Sequence, residues 1–205
     1  MQRVMIFIDY ENFDISWQSY YRECYPEAYR VPWLDIARIP SKILERLPSG
    51  YQLVKTFLFA PEPDDFLMSV EWRKKRYDFL KGLGNVDFFT VVFGRHVARP
   101  TLSDQPMDPE HKESYYVDEK GSDINISVQM ITKAFLHAYD TALVMSGDTD
   151  YIPIYDILNT IGKTVIVAGV KGQSLSRFKQ HSDLQITLDM PFFESCLLTP
   201  NTEIS

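Results

Sequence analysis

The sequence predicts an α/β fold: a doubly wound, three-layer α/β/α arrangement built on a mainly parallel sheet of five to six strands. Three observations lead there. Short apolar runs rich in Val, Ile and Phe alternate with segments whose apolar residues follow the 3.6-residue helical period. Residues 141–168 hold a strand, an amphipathic helix and a second strand at the spacing of a βαβ unit, which needs parallel pairing and a right-handed crossover. Carboxylates sit where buried runs end, and the strand ends of a parallel sheet are where ligands bind.

Taken in order, residues 3–8 form the first strand. A helix over about 33–47 precedes the second strand, 51–59. A helix over about 64–83 stops at Gly82-Leu83-Gly84-Asn85 and leads into a third strand, 86–93. Ile124, Val128, Ile131 and Phe135 share one face of a helix that starts just after Ser122, and 141–145 is the fourth strand. Ile154, Ile157, Leu158 and Ile161 stripe a helix that ends at Gly162, a residue suited to the C′ position. The fifth strand is 164–168, with a weaker sixth at 184–188. Two stretches break the alternation. Residues 13–30 crowd together Trp17, Tyr20, Tyr21, Tyr25 and Tyr29, and residues 95–113 hold Pro100, Pro106 and Pro109 without periodicity. Loops of that length in a compact domain are usually functional or mobile. The expected organisation is one domain over 1–190, with insertions near 13–32 and 95–116 and a C-terminal tail over 191–205.

Composition limits the function classes. At 205 residues the chain is long enough for one domain with a full core and short for two. Its 45% apolar and 14% aromatic content is that of a globular protein. No apolar run approaches the ~18–20 residues that span a bilayer, and the apolar N-terminus reaches Asp9 too soon for a signal peptide. No membrane partner is expected. Cys24 and Cys196 lack paired metal-ligand spacing and a local His, so they read as ordinary thiols of a reducing cytoplasm. The formal charge of −7 argues against a protein that coats nucleic acid. It leaves room for a nuclease whose acidic cluster supplies part of that charge.

The chemistry is carried by three acidic segments. Asp9 closes the first strand, and Asn12 after it either caps the next helix, bonds the Asp9 carboxylate or contacts substrate. Asp123 falls in a first helical turn, with Ser122 as the expected N-cap; the helix dipole alone would favour it there. Lys120 either neutralises the acidic cluster, contacts phosphate or faces solvent. Ser146-Gly147 closes the fourth strand, and Asp148-Thr149-Asp150 lies between that strand and a helix that tolerates Pro153 in its first turn. Capping accounts for one of Asp148 and Asp150 but not readily for both. Such hard oxygen donors suit Mg2+ or Mn2+ rather than Zn2+. His96, His111, His137 and His181 show neither triad nor zinc spacing.

Phe7-Ile8-Asp9-Tyr10-Glu11-Asn12, Glu119-Lys120-Gly121-Ser122-Asp123 and Ser146-Gly147-Asp148-Thr149-Asp150-Tyr151-Ile152-Pro153 resemble, in order and spacing, the signature motifs of NYN domains. These are PIN-like ribonucleases that include the LabA-like group. The similarity continues through Leu158-Asn159-Thr160-Ile161-Gly162-Lys163-Thr164-Val165 and over 174–183, so it spans most of the chain. The resemblance implies a Rossmann-like, PIN-like sheet with an acidic pocket at its C-terminal edge. It also implies cleavage of RNA, single-stranded or structured, with Mg2+ or Mn2+ as cofactor. Asp9, Asp123, Asp148 and Asp150 would be the catalytic metal ligands, with Asn12 beside them and Ser146 in support.

Lys120, Thr149, Lys171 and Ser174 are expected near the substrate, the last two because the end of the fifth strand faces the same edge as the carboxylates. The basic run Arg73-Lys74-Lys75-Arg76 reads first as a solvated face. The aromatic residues after Asn12 are expected in the core or at a homodimer contact, with base stacking as the other use. Two alternatives stand beside the nuclease. One is a non-catalytic RNA-binding or regulatory domain of the same fold. The other is an enzyme of a different class with an Asp-x-Asp metal motif.

Overall fold

In the computed structural model, which describes residues 1–198, the strands are β1 (Gln2–Asp9), β2 (Tyr51–Pro63), β3 (Phe89–Pro100), β4 (Tyr115–Lys120), β5 (Thr141–Met145), β6 (Thr164–Val170) and β7 (Leu184–Leu188). They form one sheet in the order β4-β3-β2-β1-β5-β6-β7. All pairs are parallel except β3 with β4. The helices are α1 (Tyr10–Cys24), α2 (Ile39–Leu44), α3 (Asp65–Met68), α4 (Glu71–Gly82), α5 (Ser122–Phe135), α6 (Ile152–Thr160) and α7 (Met190–Glu194). Among the described residues, no helix is long and apolar enough to cross a membrane.

The hydrophobic pattern of β1 explains its central place. Val4 to Ile8 are all buried, as a parallel strand covered on both faces requires. Alternate side chains serve opposite cores. Ile6 and Ile8 pack with Phe13 and Trp17 of α1, Ile39 and Ile43 of α2, and Phe192 and Phe193 of α7. Met5 and Phe7 pack with Ile126 and Met130 of α5 and with Tyr155 and Leu158 of α6. The result is the expected three-layer architecture. The chain moves from β1 outward to β2 and β3, then returns to the other side of β1 for β5, β6 and β7. Strand order therefore reverses between β1 and β5, and their C-terminal ends flank the crevice where open α/β sheets bind ligands.

Several expectations need correction. The sheet has seven strands, not five or six, and the added one is β4. As an edge strand with one neighbour it carries Asp118, Glu119 and Lys120, and so lacks an apolar signature. The third strand starts at Phe89, not at residue 86, and runs on to Pro100. Only residues 101–114 of the expected long loop connect strands. Asp64 anchors the extension, because its carboxylate accepts from Ala98 N–H (2.7 Å) and from Leu67 N–H (2.9 Å) at the start of α3.

The single helix expected over 64–83 is two, separated where Val70 adopts extended backbone. The helix expected over 33–47 is shorter, a 3-10 turn at Ile36–Arg38 followed by α2. The first half of the aromatic segment is helix rather than loop. Tyr10, Phe13, Trp17 and Tyr20 form the buried stripe of α1 at helical spacing.

Residues 191–198, placed by sequence in a tail, include part of α7. They are tied in by a bridge between Leu34 and Leu197 and by Asp35 N–H donating to Cys196 O (2.7 Å). Residues 199–205, the rest of that tail, lie outside the described residues.

Candidate active site

Asp9 is both the last residue of β1 and the N-cap of α1: its Oδ1 accepts from Asn12 N–H at 3.3 Å. Its Oδ2 accepts from Ser146 Oγ–H at 2.9 Å and faces the Tyr151 hydroxyl at 3.3 Å. With only 7% of its surface exposed, Asp9 is costly to ionise. Burial pushes its pKa up to about 6, against the hydrogen bonds from Ser146 and Asn12 and with added repulsion from Asp123.

Ser146 Oγ also accepts from Asp148 N–H (3.1 Å), so one buried hydroxyl links the first and third acidic segments. Ser146→Ala removes a hydrogen bond to a carboxylate and orphans the Asp148 amide. It is expected to cost about 1.5–3 kcal/mol in urea-monitored stability, the range for bonds to charged groups.

Asp123 reaches the site through a left-handed turn. Gly121 (φ 88°) is the N-cap of α5, and Ser122, expected in that role, is the first helical residue. Its side chain cannot cap from there, and its hydroxyl is buried without a well-formed hydrogen bond. Space at this junction is tight. A Cβ on Gly94 of β3 would lie 2.6 Å from Ser122 Oγ and 2.9 Å from Lys120 O.

Tyr151, in the 3-10 turn Thr149–Tyr151 after β5, joins the segments and was not singled out from the sequence. Its hydroxyl donates to Asp123 Oδ1 at 2.7 Å and faces Asp9 as well. Burial, then the negative charge of Asp9, holds its pKa far above the ordinary phenol value. Asp9 and Asp123 thus meet on one phenol oxygen, and Ser146 ties Asp148 to Asp9.

Asp148 caps the same turn, its Oδ1 accepting from Asp150 N–H at 2.9 Å, as capping predicts for one of the pair. Asp150 is exposed beside it. Asn12 caps no helix. Its Oδ1 accepts from Gly147 N–H (2.8 Å) and from Gln173 Nε2 (3.0 Å), tying α1 to the loops after β5 and β6. A Cβ at Gly147 would lie 2.4 Å from Gln173 Nε2, so a larger residue there would push that amide off Asn12.

The other sequence-predicted residues are less engaged. Lys120 pairs with Asp118 at 2.9 Å rather than with an active-site aspartate. Lys171 and Ser174 are exposed, Ser174 bonding Ser176 at 3.1 Å, and Thr149 is half-buried in its turn.

A neighbouring cluster escaped the sequence. Among the described residues, the trio whose ligand atoms all lie within 4.8 Å of one another is Glu11, His96 and Glu119, not three of the four aspartates. His96 sits opposite Glu119 in the β3–β4 ladder, and its Nε2 is 3.0 Å from Glu11 Oε1. Partial burial, then the adjoining Glu11, pushes Glu119 up to about 8, so it keeps its proton to higher pH than a free glutamate.

An unfolded glutamate loses that proton near its ordinary value, so between there and about pH 8 the folded state binds more protons and loses stability as pH rises. In chelator, raising the pH from 5 to 9 should lower the Tm of the parent relative to Glu119→Gln by about 2–4 °C. That is the shift ~1 kcal/mol gives in a domain of this size, a modest figure because the Glu119 side chain is solvent-exposed and screened.

The four aspartates are hard oxygen donors. Among the described residues none of them has a Lys, Arg or His partner within ion-pair distance. One buried carboxylate pushed up to about 6, one half-buried and two exposed, all without a counter-charge, fit a hard divalent cation such as Mg2+ or Mn2+.

The NYN domain family model matches residues 3–189. Among solved structures, the chain is similar to a protein of unknown function from Vibrio parahaemolyticus, with a TM-score of 0.55 and 20% identity over 96% of each chain. At that identity the likeness shows the fold. No curated protein matches.

Proposed function

The chain belongs to the NYN domain family, whose members are typically ribonucleases and commonly use divalent metals, and on that premise we propose that it is a metal-dependent ribonuclease that hydrolyses RNA phosphodiester bonds. The observation that carries the reading is the meeting of Asp9 and Asp123 on the Tyr151 hydroxyl, with Asp148 joined to Asp9 through Ser146, at the β1–β5 switch point and without an ion-pair partner among the described residues.

Asp9, Asp123, Asp148 and Asp150 would hold Mg2+ or Mn2+. Polarisation of a phosphate oxygen and activation of water are the chemistry such an ion supplies when bound. The protein's own part is orientation. Ser146 Oγ–H and Asn12 N–H fix the two oxygens of Asp9, and the Tyr151 hydroxyl fixes Asp123. Asn12, Gly147 and Gln173 lock the surrounding loops, so the carboxylates are set before substrate arrives. Asp148 and Asp150, at the more open side, would accept the proton of the attacking water.

The test is incubation of the pure protein with single-stranded RNA in Mn2+, with and without EDTA. Cleavage that stops in EDTA and returns with Mn2+ or Mg2+ is expected. RNA binding without turnover in either metal would instead select the non-catalytic RNA-binding alternative.

A further inference from the structure

Beside the acidic edge, α1 and α4 leave a cleft between them. It consists of two adjoining chambers of about 450 and 220 Å3 that share Tyr10, Asp14, Trp72 and Arg76 in their walls. The smaller chamber ends at Glu11 and His96, next to Asp9. The larger one runs outward to Trp33, Arg22 and Arg30. This is room for a nucleotide-sized ligand in a groove whose inner wall includes Tyr10 and Glu11, the residues that follow Asp9 in the chain.

The lining runs against the charge of the molecule. The basic run on α4 divides by helical position. Lys74 and Lys75 pair with Asp78 (2.7 Å) and Glu71 (2.6 Å) on the solvent side, while Arg73 and Arg76, three residues apart, turn toward the cleft. Arg76 is already engaged, by the Tyr10 hydroxyl at 3.0 Å and by Asp14. Arg73 is not. Its Nε is buried without a hydrogen-bond partner among the described residues, and its guanidinium lies 4.5 Å from the centre of the Trp72 ring. A buried donor with no acceptor is costly, and a phosphate oxygen is an acceptor that a guanidinium recognises well. Trp33 and Trp72 keep 47% and 45% of their surface exposed along the same groove. Exposed indoles alternating with arginines, in a protein of net charge −7, are the lining that unpaired nucleotides require.

We propose that the α1–α4 cleft holds a single strand of RNA, its bases stacked on Trp72 and Trp33 and its phosphates on Arg73 and the outer arginines, and delivers the strand to the aspartates at the end of β1. The assignment rests on the ribonuclease reading and names the form of its substrate. Bases held in a duplex cannot stack on side chains, so paired RNA is excluded from this path.

The test uses the full chain with Asp148→Asn, in which cleavage is expected to be at least about 100-fold slower, and a short fluorescein-labelled single-stranded RNA followed by anisotropy in Mg2+ at several KCl concentrations. Adding Trp72→Ala is expected to weaken binding about tenfold or more, with Trp72→Phe restoring most of it. Adding Arg73→Gln should lower the slope of log affinity against log salt by about 0.7, one phosphate contact on a single strand. The same sequence annealed as a duplex should bind more weakly.

If Asp148→Asn protein binds the single strand and both cleft variants match it in affinity and salt slope, the RNA lies elsewhere: the cleft proposal fails and the nuclease reading stands. Equal binding of duplex and single strand also overturns the cleft proposal. If Asp148→Asn protein binds no RNA at all, both fail.

Discussion

Asp148→Asn is expected to reduce Mn2+-dependent cleavage of single-stranded RNA by at least about 100-fold while leaving the thermal midpoint nearly unchanged. Loss of an outer partner of a metal site costs 10–100-fold, and Asp148 is assigned as a ligand, so its loss should reach the top of that range or exceed it. The fold should survive because the structural duty of Asp148 needs only a carbonyl oxygen. Its Oδ1 accepts the Asp150 N–H, and Asn and Asp are near-equal caps. The substitution therefore separates charge from shape. Cleavage at the parental rate would remove Asp148 from the site.

Trp17→Ala should cost about 3–5 kcal/mol in urea unfolding, the range for truncating a buried Trp. The indole is 2% exposed, stacks on Phe193 with centroids 4.3 Å apart and donates Nε1–H to Pro32 O at 3.4 Å. It thus fastens α1, which carries Asn12 and follows Asp9 directly, to α7 and to the loop before α2. A domain of ordinary stability, ~5–15 kcal/mol, would remain folded but with a thin margin. A loss below about 1 kcal/mol would mean that α1 and α7 are not packed through this ring.

The parts of the fold that showed in the sequence are those whose residues answer to one neighbour pattern. β1, β5 and β6 are continuous Val, Ile, Leu and Phe runs because they are buried on both faces. α5 and α6 showed as helices, but their buried faces did not: α5 buries Ile126, Met130 and Ala134 and exposes the expected Ile124, Val128 and Phe135, and α6 buries Tyr155 and Leu158.

β4 was hidden because an edge strand can be charged and still pair, and α1 because its stripe is built of Phe, Trp and Tyr, which read as clutter rather than period. The two omissions propagate to the site. Glu119 meets His96 through antiparallel pairing of β4 with β3, and Glu11 meets both only when α1 is a helix. Tyr151 was visible inside the third motif, but nothing in the spacing of residues 9, 123 and 151 tells that one hydroxyl lies between two carboxylates. Asp9 and Asp148 come together because one ends β1 and the other follows β5, neighbours at the reversal of strand order, whereas Asp123 arrives from the first turn of α5.

The two clusters, four aspartates on one side and Glu11, His96 and Glu119 on the other, differ in the partners they already have. Glu11 has the His96 ring nitrogen at 3.0 Å, whereas the aspartates have only hydroxyl and amide donors. On the proposed reading the cation binds among the aspartates. Anomalous scattering from crystals soaked in Mn2+ measures this directly. The account predicts a manganese peak coordinated by Asp9 and Asp123 together with Asp148 or Asp150. A peak held by Glu11, His96 and Glu119 alone, or no peak in a Mn2+-saturated crystal, would contradict it.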